Sequence, residues 1–221
     1  MLLPSFVRVL KSRSVSLSIV AVLLSLAALQ PVTTAADPRI TPEERATLIK
    51  YLRQSETEFI ALLDDVSEAQ WRWKAAPERW SVAETATHIV IAEDMLFQLS
   101  KRAMANPADA DWEVKTAGKT ALLERVLPDR SRKVQAPEPL NPGNAPMNKA
   151  QLVAKFRESR ARTIAFAETT DLPLREHLTK GLFPIFDPLN AYQFVLYIPL
   201  HNIRHDKQIA EVKAEPGYPT H

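Results

Sequence analysis

The stretch HNIRHDKQ, residues 201–208, places two histidines four positions apart beside an apolar run. On a helix, side chains at i and i+4 lie one above the other, about 5–6 Å apart at Cβ, so both imidazoles can reach one metal ion. A third imidazole from another helix, for which His88 is the candidate, would leave coordination positions open, as in a catalytic zinc site. The spacing alone also fits ordinary part-buried histidines that have hydrogen-bond partners.

The histidine pair does not belong to the zinc-peptidase motifs. Asn202 stands where H-E-x-x-H needs its glutamate, and Arg204 stands where the inverted motif needs one. The chain has no cysteine, which excludes a c-type haem, and its four glycines form no glycine-rich phosphate loop. A metalloprotease on this helix is therefore not expected.

Glu84 and Tyr197 each lie one helical turn before a candidate ligand. Glu84 precedes His88 and could orient its imidazole or act as a base, although it also completes a capping box with Ser81. Tyr197 precedes His201 and could donate a hydrogen bond to a bound substrate, although the same position suits a core tyrosine. We treat both as candidate catalytic residues.

Four segments combine a helix start signal with apolar residues at helical spacing, which predicts an all-α fold: a four-helix bundle with a long crossover loop at 105–147. Pro199 lies inside the fourth segment and should kink it.

The acids Glu93 and Asp94 are expected to face solvent or to cap neighbouring groups. One short helix is expected in the crossover, at GKTALLERVL. The predicted N-caps are Thr41, Ser81, Asn148 and Asp187, the last followed by Pro188.

Residues 1–36 have the pattern of a secretory signal peptide. Three basic and no acidic side chains lie within residues 1–13, and Thr34-Ala35-Ala36 offers small residues for a signal peptidase. The apolar run between them is about 15 residues, shorter than the roughly 20 that a spanning helix needs. We expect cleavage and a periplasmic or secreted protein without membrane attachment, and the alternative is an uncleaved N-terminal anchor.

The positive charge of the chain belongs to this leader. Of the 28 Lys and Arg residues, three lie within residues 1–36, whereas all 26 Asp and Glu residues follow it, so the remainder has a net charge of −1. This balance argues against nucleic acid as a partner. The remainder suits one domain, which we place at 37–214, with a C-terminal tail at 215–221.

The stretch APERWSVAETATHIVIAED, followed about 110 residues later by HNIRHDKQI, resembles the DinB-like superfamily. Its members have a tryptophan-serine pair at the start of the second helix, a histidine seven residues after that serine, and a late H-x-x-x-H-x-x-Q motif. The resemblance covers roughly residues 41–213. The matching residues here are Trp80, Ser81, His88, His201, His205 and Gln208.

The resemblance implies a four-helix bundle that binds a divalent metal, often zinc or nickel, through His88, His201 and His205. It implies a metal-dependent hydrolase or transferase that acts on a small-molecule substrate. The alternative is a non-catalytic periplasmic or secreted bundle that binds a small ligand or a metal. Many relatives are dimers, so a homodimer is one expected state. The chain departs from the pattern in its export signal, in Pro199 and in the enlarged segment 105–147, and the first departure argues against cytoplasmic thiol cofactors.

Overall fold

The structure, a computed structural model, describes residues 36–143 and 147–220. These residues are mainly helical, which confirms the all-α class, and they add two 3₁₀ turns and one short antiparallel strand pair. The helices are α1 (Pro42–Asp64), α2 (Glu68–Arg72), α3 (Val82–Met104), α4 (Trp112–Thr116), α5 (Lys119–Val126), α6 (Lys149–Thr169) and α7 (Ala191–Lys213). The 3₁₀ turns are Glu138–Leu140 and Pro184–Phe186, and the strands are β1 (Leu178–Thr179) and β2 (Leu189–Asn190).

The predicted signal peptide lies outside the described residues, apart from Ala36. Within 36–143 and 147–220, none of the helices combines the length and the apolar character that crossing a bilayer requires. Export therefore stays a prediction.

The four long helices, α1, α3, α6 and α7, pack along one another around two clusters of buried apolar side chains. The most extensive interface joins α3 to α7, and further interfaces join α1 to α7, α1 to α6 and α3 to α6. One cluster contains Leu52, Leu96 and Leu196, and the other contains Phe59 and Phe156, whose ring centroids are 4.5 Å apart. Because α3 and α7 share the largest interface, polar side chains on their facing surfaces meet in the interior.

The predicted capping boxes form at α1 and α3. Thr41 and Glu44 exchange side-chain-to-amide hydrogen bonds at 3.1 and 2.8 Å, and Ser81 and Glu84 do the same at 3.1 and 2.7 Å. At α6 the cap is one-sided, because Asn148 accepts a bond from the amide three residues on at 2.9 Å without the reciprocal bond. Local sequence therefore sets where these three helices begin.

The predicted start of the fourth helix, at Asp187 and Pro188, is wrong, because α7 begins three residues later with Asn190 as its N-cap. Asn190 and Gln193 exchange hydrogen bonds at 2.8 and 3.1 Å and so form the capping box. The Asp187 carboxylate instead accepts a bond from the amide of Gly181 at 2.9 Å and closes the preceding loop.

The proline-rich segment 105–147 contains α4, α5 and the first 3₁₀ turn, where the sequence predicted one short helix near residues 118–127. That helix is α5, and α4 was not predicted. Leu123 and Leu140 are buried in the same apolar cluster as residues of α3 and α7. The long crossover is therefore packed onto the α3–α7 pair and brings its own backbone close to their interface.

A buried ion pair joins α3 to α6 and corrects the expectation that Glu93 faces solvent. Arg160 donates from Nε and Nη2 to the two carboxylate oxygens of Glu93 at 2.9 and 3.1 Å, and the side chains are 0% and 1% exposed. Arg160 also donates to the Leu52 carbonyl on α1 at 2.6 Å and to Asn202 Oδ1 on α7 at 2.9 Å. The Arg160 guanidinium thus links all four long helices and compensates the charge of the buried Glu93 carboxylate.

The neighbouring acid, Asp94, is partly exposed and pairs with Arg162.

The residues that follow α7 fold back onto α2. Gln70 donates a hydrogen bond to the carbonyl of Pro219 at 2.8 Å, and the rings of Trp73 and Tyr218 meet edge to face with centroids 5.5 Å apart. The described part of the tail is therefore attached to the helical domain.

Candidate metal centre

Three histidines from two helices meet in the interior between α3 and α7. His88 lies on α3, and His201 and His205 lie one turn apart on α7, shortly after Pro199, through which the helix continues. All three are buried, with 2%, 9% and 8% of their surface exposed, respectively. The structure thus brings together the three side chains that the sequence analysis singled out.

The Nε2 atoms of the three rings form a nearly equilateral triangle. The Nε2 atom of His88 lies 3.2 Å from that of His201 and 3.2 Å from that of His205, and the last two are 3.1 Å apart. Ligand nitrogens at about 2.1 Å from one ion lie roughly 3.0–3.4 Å apart when their angles are between octahedral and tetrahedral. The observed separations fit three ligands of a single metal ion.

Hydrogen bonds at Nδ1 fix which nitrogen carries the proton in two of the rings. Nδ1 of His88 lies 2.7 Å from the carbonyl oxygen of Leu140, which can only accept. Nδ1 of His205 lies 2.8 Å from Oε1 of Gln208, and that oxygen also accepts a bond from Arg130 at 3.1 Å. Both Nδ1 atoms therefore donate, and each Nε2 keeps a lone pair that points into the triangle.

This arrangement suits a bound cation. The Nε2 lone pairs of His88 and His205 approach to 3.2 Å, and neither atom carries a hydrogen to place between them. Two acceptors at that distance repel unless a positive charge lies between them. The donor set and its protonation therefore fit a metal ion better than a hydrogen-bonded histidine cluster.

The surroundings keep the imidazoles in the neutral form that binds metal. Burial lowers the pKa of His88, although its bond to the Leu140 carbonyl opposes that effect. Burial, followed by the neighbouring imidazoles, holds the pKa values of His201 and His205 well below the usual value. Protons therefore compete weakly with a metal ion at this site near neutral pH.

Two aromatic rings flank the histidines. The Trp80 ring lies 5.0 Å from the His88 ring, and the Tyr197 ring lies 6.0 Å from the His201 ring, centroid to centroid. Tyr197 is 2% exposed and packs edge to face against Phe186 at 5.9 Å. Burial raises the pKa of Tyr197, so the side chain remains a phenol that can donate a hydrogen bond.

Glu84, the other candidate catalytic residue, is engaged at the start of α3. One carboxylate oxygen accepts the Ser81 amide bond at 2.7 Å, and the other accepts a bond from Nζ of Lys74 at 3.0 Å. Glu84 does not orient His88: the Nδ1 atom of His88 contacts the Leu140 carbonyl, and its Nε2 atom contacts the other two histidines. Tyr197 lines the cavity beside the histidines, and Glu84 is absent from that wall.

The three histidines lie in the wall of a cavity of about 550 Å³. That volume is within the range of sites that hold small molecules. The wall combines apolar side chains from α3, from the crossover and from the loop before α7 with polar groups from α7. Its larger apolar members include Leu96, Leu127, Leu140, Phe183 and Phe186.

Sequence reasoning missed the groups that orient the rings. The Leu140 carbonyl is 52 residues from His88, and Arg130 is 78 residues from Gln208. No local pattern reports contacts over such separations. Gln208 was visible as the last residue of the H-x-x-x-H-x-x-Q motif, whereas its bond to His205 became visible only in the structure.

Comparison with known proteins agrees with this assignment. A family model described as the DinB superfamily matches residues 51–209. This span contains all three histidines and Gln208. No curated protein sequence matches the chain, and no solved structure matches it.

Proposed function

The chain belongs to the DinB superfamily, and from this premise we propose that it is an exported, divalent-metal-dependent hydrolase or transferase that acts on a small molecule. His88, His201 and His205 would hold the ion, and zinc or nickel is the expected metal. The observation that carries the proposal is the convergence of the three Nε2 atoms at 3.1–3.2 Å, with two tautomers fixed by acceptors at Nδ1.

A divalent ion held by three imidazoles supplies a Lewis acid that lowers the pKa of a bound water or thiol. The protein's own groups orient and protect this centre. The Leu140 carbonyl and the Gln208 amide hold two of the rings in the required tautomer. The Tyr197 phenol lines the same cavity and can donate a hydrogen bond to a substrate oxygen. The apolar wall excludes water from a bound molecule and so strengthens its polar contacts.

Elemental analysis of the purified protein, prepared without chelator or affinity histidines, tests the metal. We expect about one equivalent of a divalent metal, as for a three-imidazole site. His201→Ala and His88→Ala should lose it. His177→Ala is the matched control, because His177 lies outside the cluster and bonds the Asn106 carbonyl at 2.8 Å. Stoichiometric metal in a variant lacking both His201 and His205 would contradict the proposal.

Turnover tests the enzymatic part of the proposal. The metal-loaded and metal-free proteins are compared on small esters, amides and thiol acceptors, with product formation followed by mass spectrometry. We expect turnover only with metal. Tyr197→Phe should lower kcat by at least about tenfold if its hydroxyl contacts the transition state. The metal content of this variant should not change.

One observation favours the alternative, a non-catalytic protein that binds a small ligand or a metal. An enzyme is expected to place a further acid or base near the open site, yet both carboxylate oxygens of Glu84 are engaged by Ser81 and Lys74. Within the described residues, the group able to hold a metal consists of histidines without a carboxylate. Recovery of a bound ligand unchanged after prolonged incubation would support this alternative, and turnover of any compound in the panel would exclude it.

Export is part of the proposal and rests on the sequence of residues 1–36. N-terminal sequencing of the protein recovered from the periplasm or the medium should begin near residue 37. Protein that stays in the membrane fraction with residues 1–36 attached would instead indicate an uncleaved anchor.

We further propose that the domain, residues 37–214, is a four-helix bundle with a long crossover. The interfaces among α1, α3, α6 and α7 support it, since each long helix packs against two others. The crossover is the segment 105–147, which supplies Leu140 to the site.

A further inference from the structure

The cavity wall beside the histidines carries more positive than negative charge. Two of its cations have carboxylate partners: Arg79 pairs with Glu215 at 2.6 Å, and Arg130 pairs with Glu211 at 2.6 Å. The other two cations, on the crossover and on α7, have no carboxylate within ion-pair distance among the described residues. The positively charged residues of the wall are Arg79, Arg130, Lys133 and Arg204, and the negatively charged ones are Glu78 and Glu211.

Arg204 is the more unusual of the two unpaired cations. It is 9% exposed, and its guanidinium donates to the carbonyl oxygens of Leu127 at 3.4 Å, of Arg132 at 2.6 Å and of Asp129. These acceptors are neutral, and no carboxylate among the described residues forms a direct ion pair with the guanidinium, although Asp129 and Glu211 act on its charge from a greater distance. A largely buried charge without a directly paired carboxylate is costly, and such groups are often found where a binding site needs their field.

Lys133 extends the positive charge to the surface. It is exposed, it lies in the crossover one residue after Arg132, and it lines the same cavity as Arg204. Both side chains offer positive charge to an anionic group that enters the cavity. The cavity itself therefore offers a place for a negative charge near the three histidines.

The rim of the same cavity is apolar and exposed to solvent. Val134 is 58% exposed and Ile185 is 57% exposed, and both line the cavity, together with Leu182 and Phe183. Exposed large apolar side chains that gather at the mouth of a cavity indicate a surface that binds an apolar group. The rim thus adds an apolar contact to the charged wall.

We propose that the cavity binds a small amphiphilic anion, with its carboxylate or phosphate group near Arg204 and Lys133 and its apolar body against the rim of Val134 and Ile185. As a statement about the substrate, this rests on the proposed function. As a statement about binding, it rests on the charge of the wall and on the rim alone.

Calorimetry with four simple probes tests the assignment: decanoate, decyl phosphate, decyltrimethylammonium and acetate. At least one decyl anion should bind about tenfold or more tightly than decyltrimethylammonium, because the cation meets a wall with more positive than negative side chains. It should also bind more tightly than acetate, which cannot use the rim. The proposal would be overturned if neither decyl anion bound more tightly than decyltrimethylammonium, or if the tighter-binding decyl anion bound no better than acetate.

Matched variants separate the charged wall from the rim. Lys133→Glu should weaken binding of the decyl anion, whereas Lys50→Glu makes the same change at an exposed site on α1 away from the cavity and should not. Val134→Ser should weaken it, whereas Val114→Ser, at a site that is 81% exposed and outside the cavity, should not. Equal effects within each pair would overturn the assignment.

Arg204→Met tests the buried charge and should weaken binding of the decyl anion by about tenfold. Because it also frees three carbonyl groups, its fold is checked by circular dichroism. Lys133→Glu carries the test if this variant does not fold. Unchanged affinity in Lys133→Glu, or in a folded Arg204→Met, would overturn the proposal.

The same samples distinguish this proposal from the metal function. Each titration is repeated on protein whose zinc content has been measured before and after zinc is added. Selective binding of the decyl anion by protein that takes up no zinc would support the ligand class, while the metal-dependent function would fail. Zinc binding without any preference among the four probes would do the reverse.

Discussion

Nδ1 of His205 donates a hydrogen bond to Oε1 of Gln208 at 2.8 Å. The same oxygen accepts a bond from Nη1 of Arg130 at 3.1 Å, and Arg130 is held by Glu211 at 2.6 Å. Because a guanidinium can only donate, Arg130 fixes the amide with its oxygen toward the imidazole. A residue of the crossover thus determines which nitrogen of a candidate metal ligand is free to bind.

Replacing Gln208 should therefore lower the affinity for metal although all three histidine ligands remain. In Gln208→Leu the His205 ring loses its acceptor, so we expect metal affinity to fall about 10- to 100-fold. Gln208→Glu keeps an acceptor for His205 and a partner for Arg130, so it should retain most of the affinity. The measurement is a competition titration against a chromophoric chelator.

Gln54→Leu is the control for this substitution, because Gln54 lies on the exposed face of α1 and bonds Glu58 at 2.8 Å. It should bind metal as the unchanged protein does. Unaltered affinity in Gln208→Leu would show that the bond to His205 does not prepare the site.

The Glu211–Arg130 pair should give stability a defined dependence on pH. The hydrogen bond that Glu211 accepts from Arg130 lowers the pKa of the Glu211 carboxyl from its ordinary value. A carboxyl group with a lowered pKa in the fold contributes stability above its unfolded pKa of about 4.5, and that contribution is lost as the pH falls through the folded value. Glu211→Gln should therefore be less stable than the unchanged protein near pH 7, and the two should converge in acid.

Because the Glu211 side chain is 47% exposed, the difference near pH 7 should stay below about 1 kcal/mol. Urea unfolding between pH 3 and 8 measures it, with Glu56→Gln as the control at a site without an ion pair among the described residues. A difference that grows toward acid would contradict the assigned direction.

The Glu93–Arg160 pair should matter far more for stability, because both side chains are buried. Glu93→Leu leaves the Arg160 charge without its counter-charge, and we expect a loss of about 3–5 kcal/mol in the free energy of unfolding. Asp94→Asn alters the neighbouring acid, which is 38% exposed and pairs with Arg162, and should change it by less than about 1 kcal/mol. Guanidinium unfolding measures both variants, and similar values would argue against a buried ion pair linking the helices.

The parts of this fold that sequence could predict are the local ones. Thr41 and Ser81 mark helix starts because a cap and its partner lie three residues apart, and the i, i+4 spacing puts His201 and His205 on one helix face. The third ligand, His88, was a candidate as a histidine on another helix, and the resemblance to a family supported it.

The remaining features depend on contacts between distant segments. Glu93 looked like a solvent-facing acid because its partner Arg160 is 67 residues away. The Leu140 carbonyl carries no side-chain signature, since any residue provides a carbonyl at that point of the crossover. These contacts are set by how the segments pack, and single-sequence patterns do not encode that packing in a readable form.

At the start of α7 two local sequence signals compete: the Asp187-Pro188 pair and the Asn190 cap. Asn190→Ala should accelerate hydrogen exchange at the Gln193 amide, which donates to Asn190 at 2.8 Å. It should also lower the free energy of unfolding by about 1 kcal/mol. Asp187→Ala should instead accelerate exchange at the Gly181 amide and leave Gln193 protected. Exchange of the two amides is followed by NMR in both variants. Loss of Gln193 protection in Asp187→Ala alone would return the helix start to the Asp-Pro pair, as the sequence predicted.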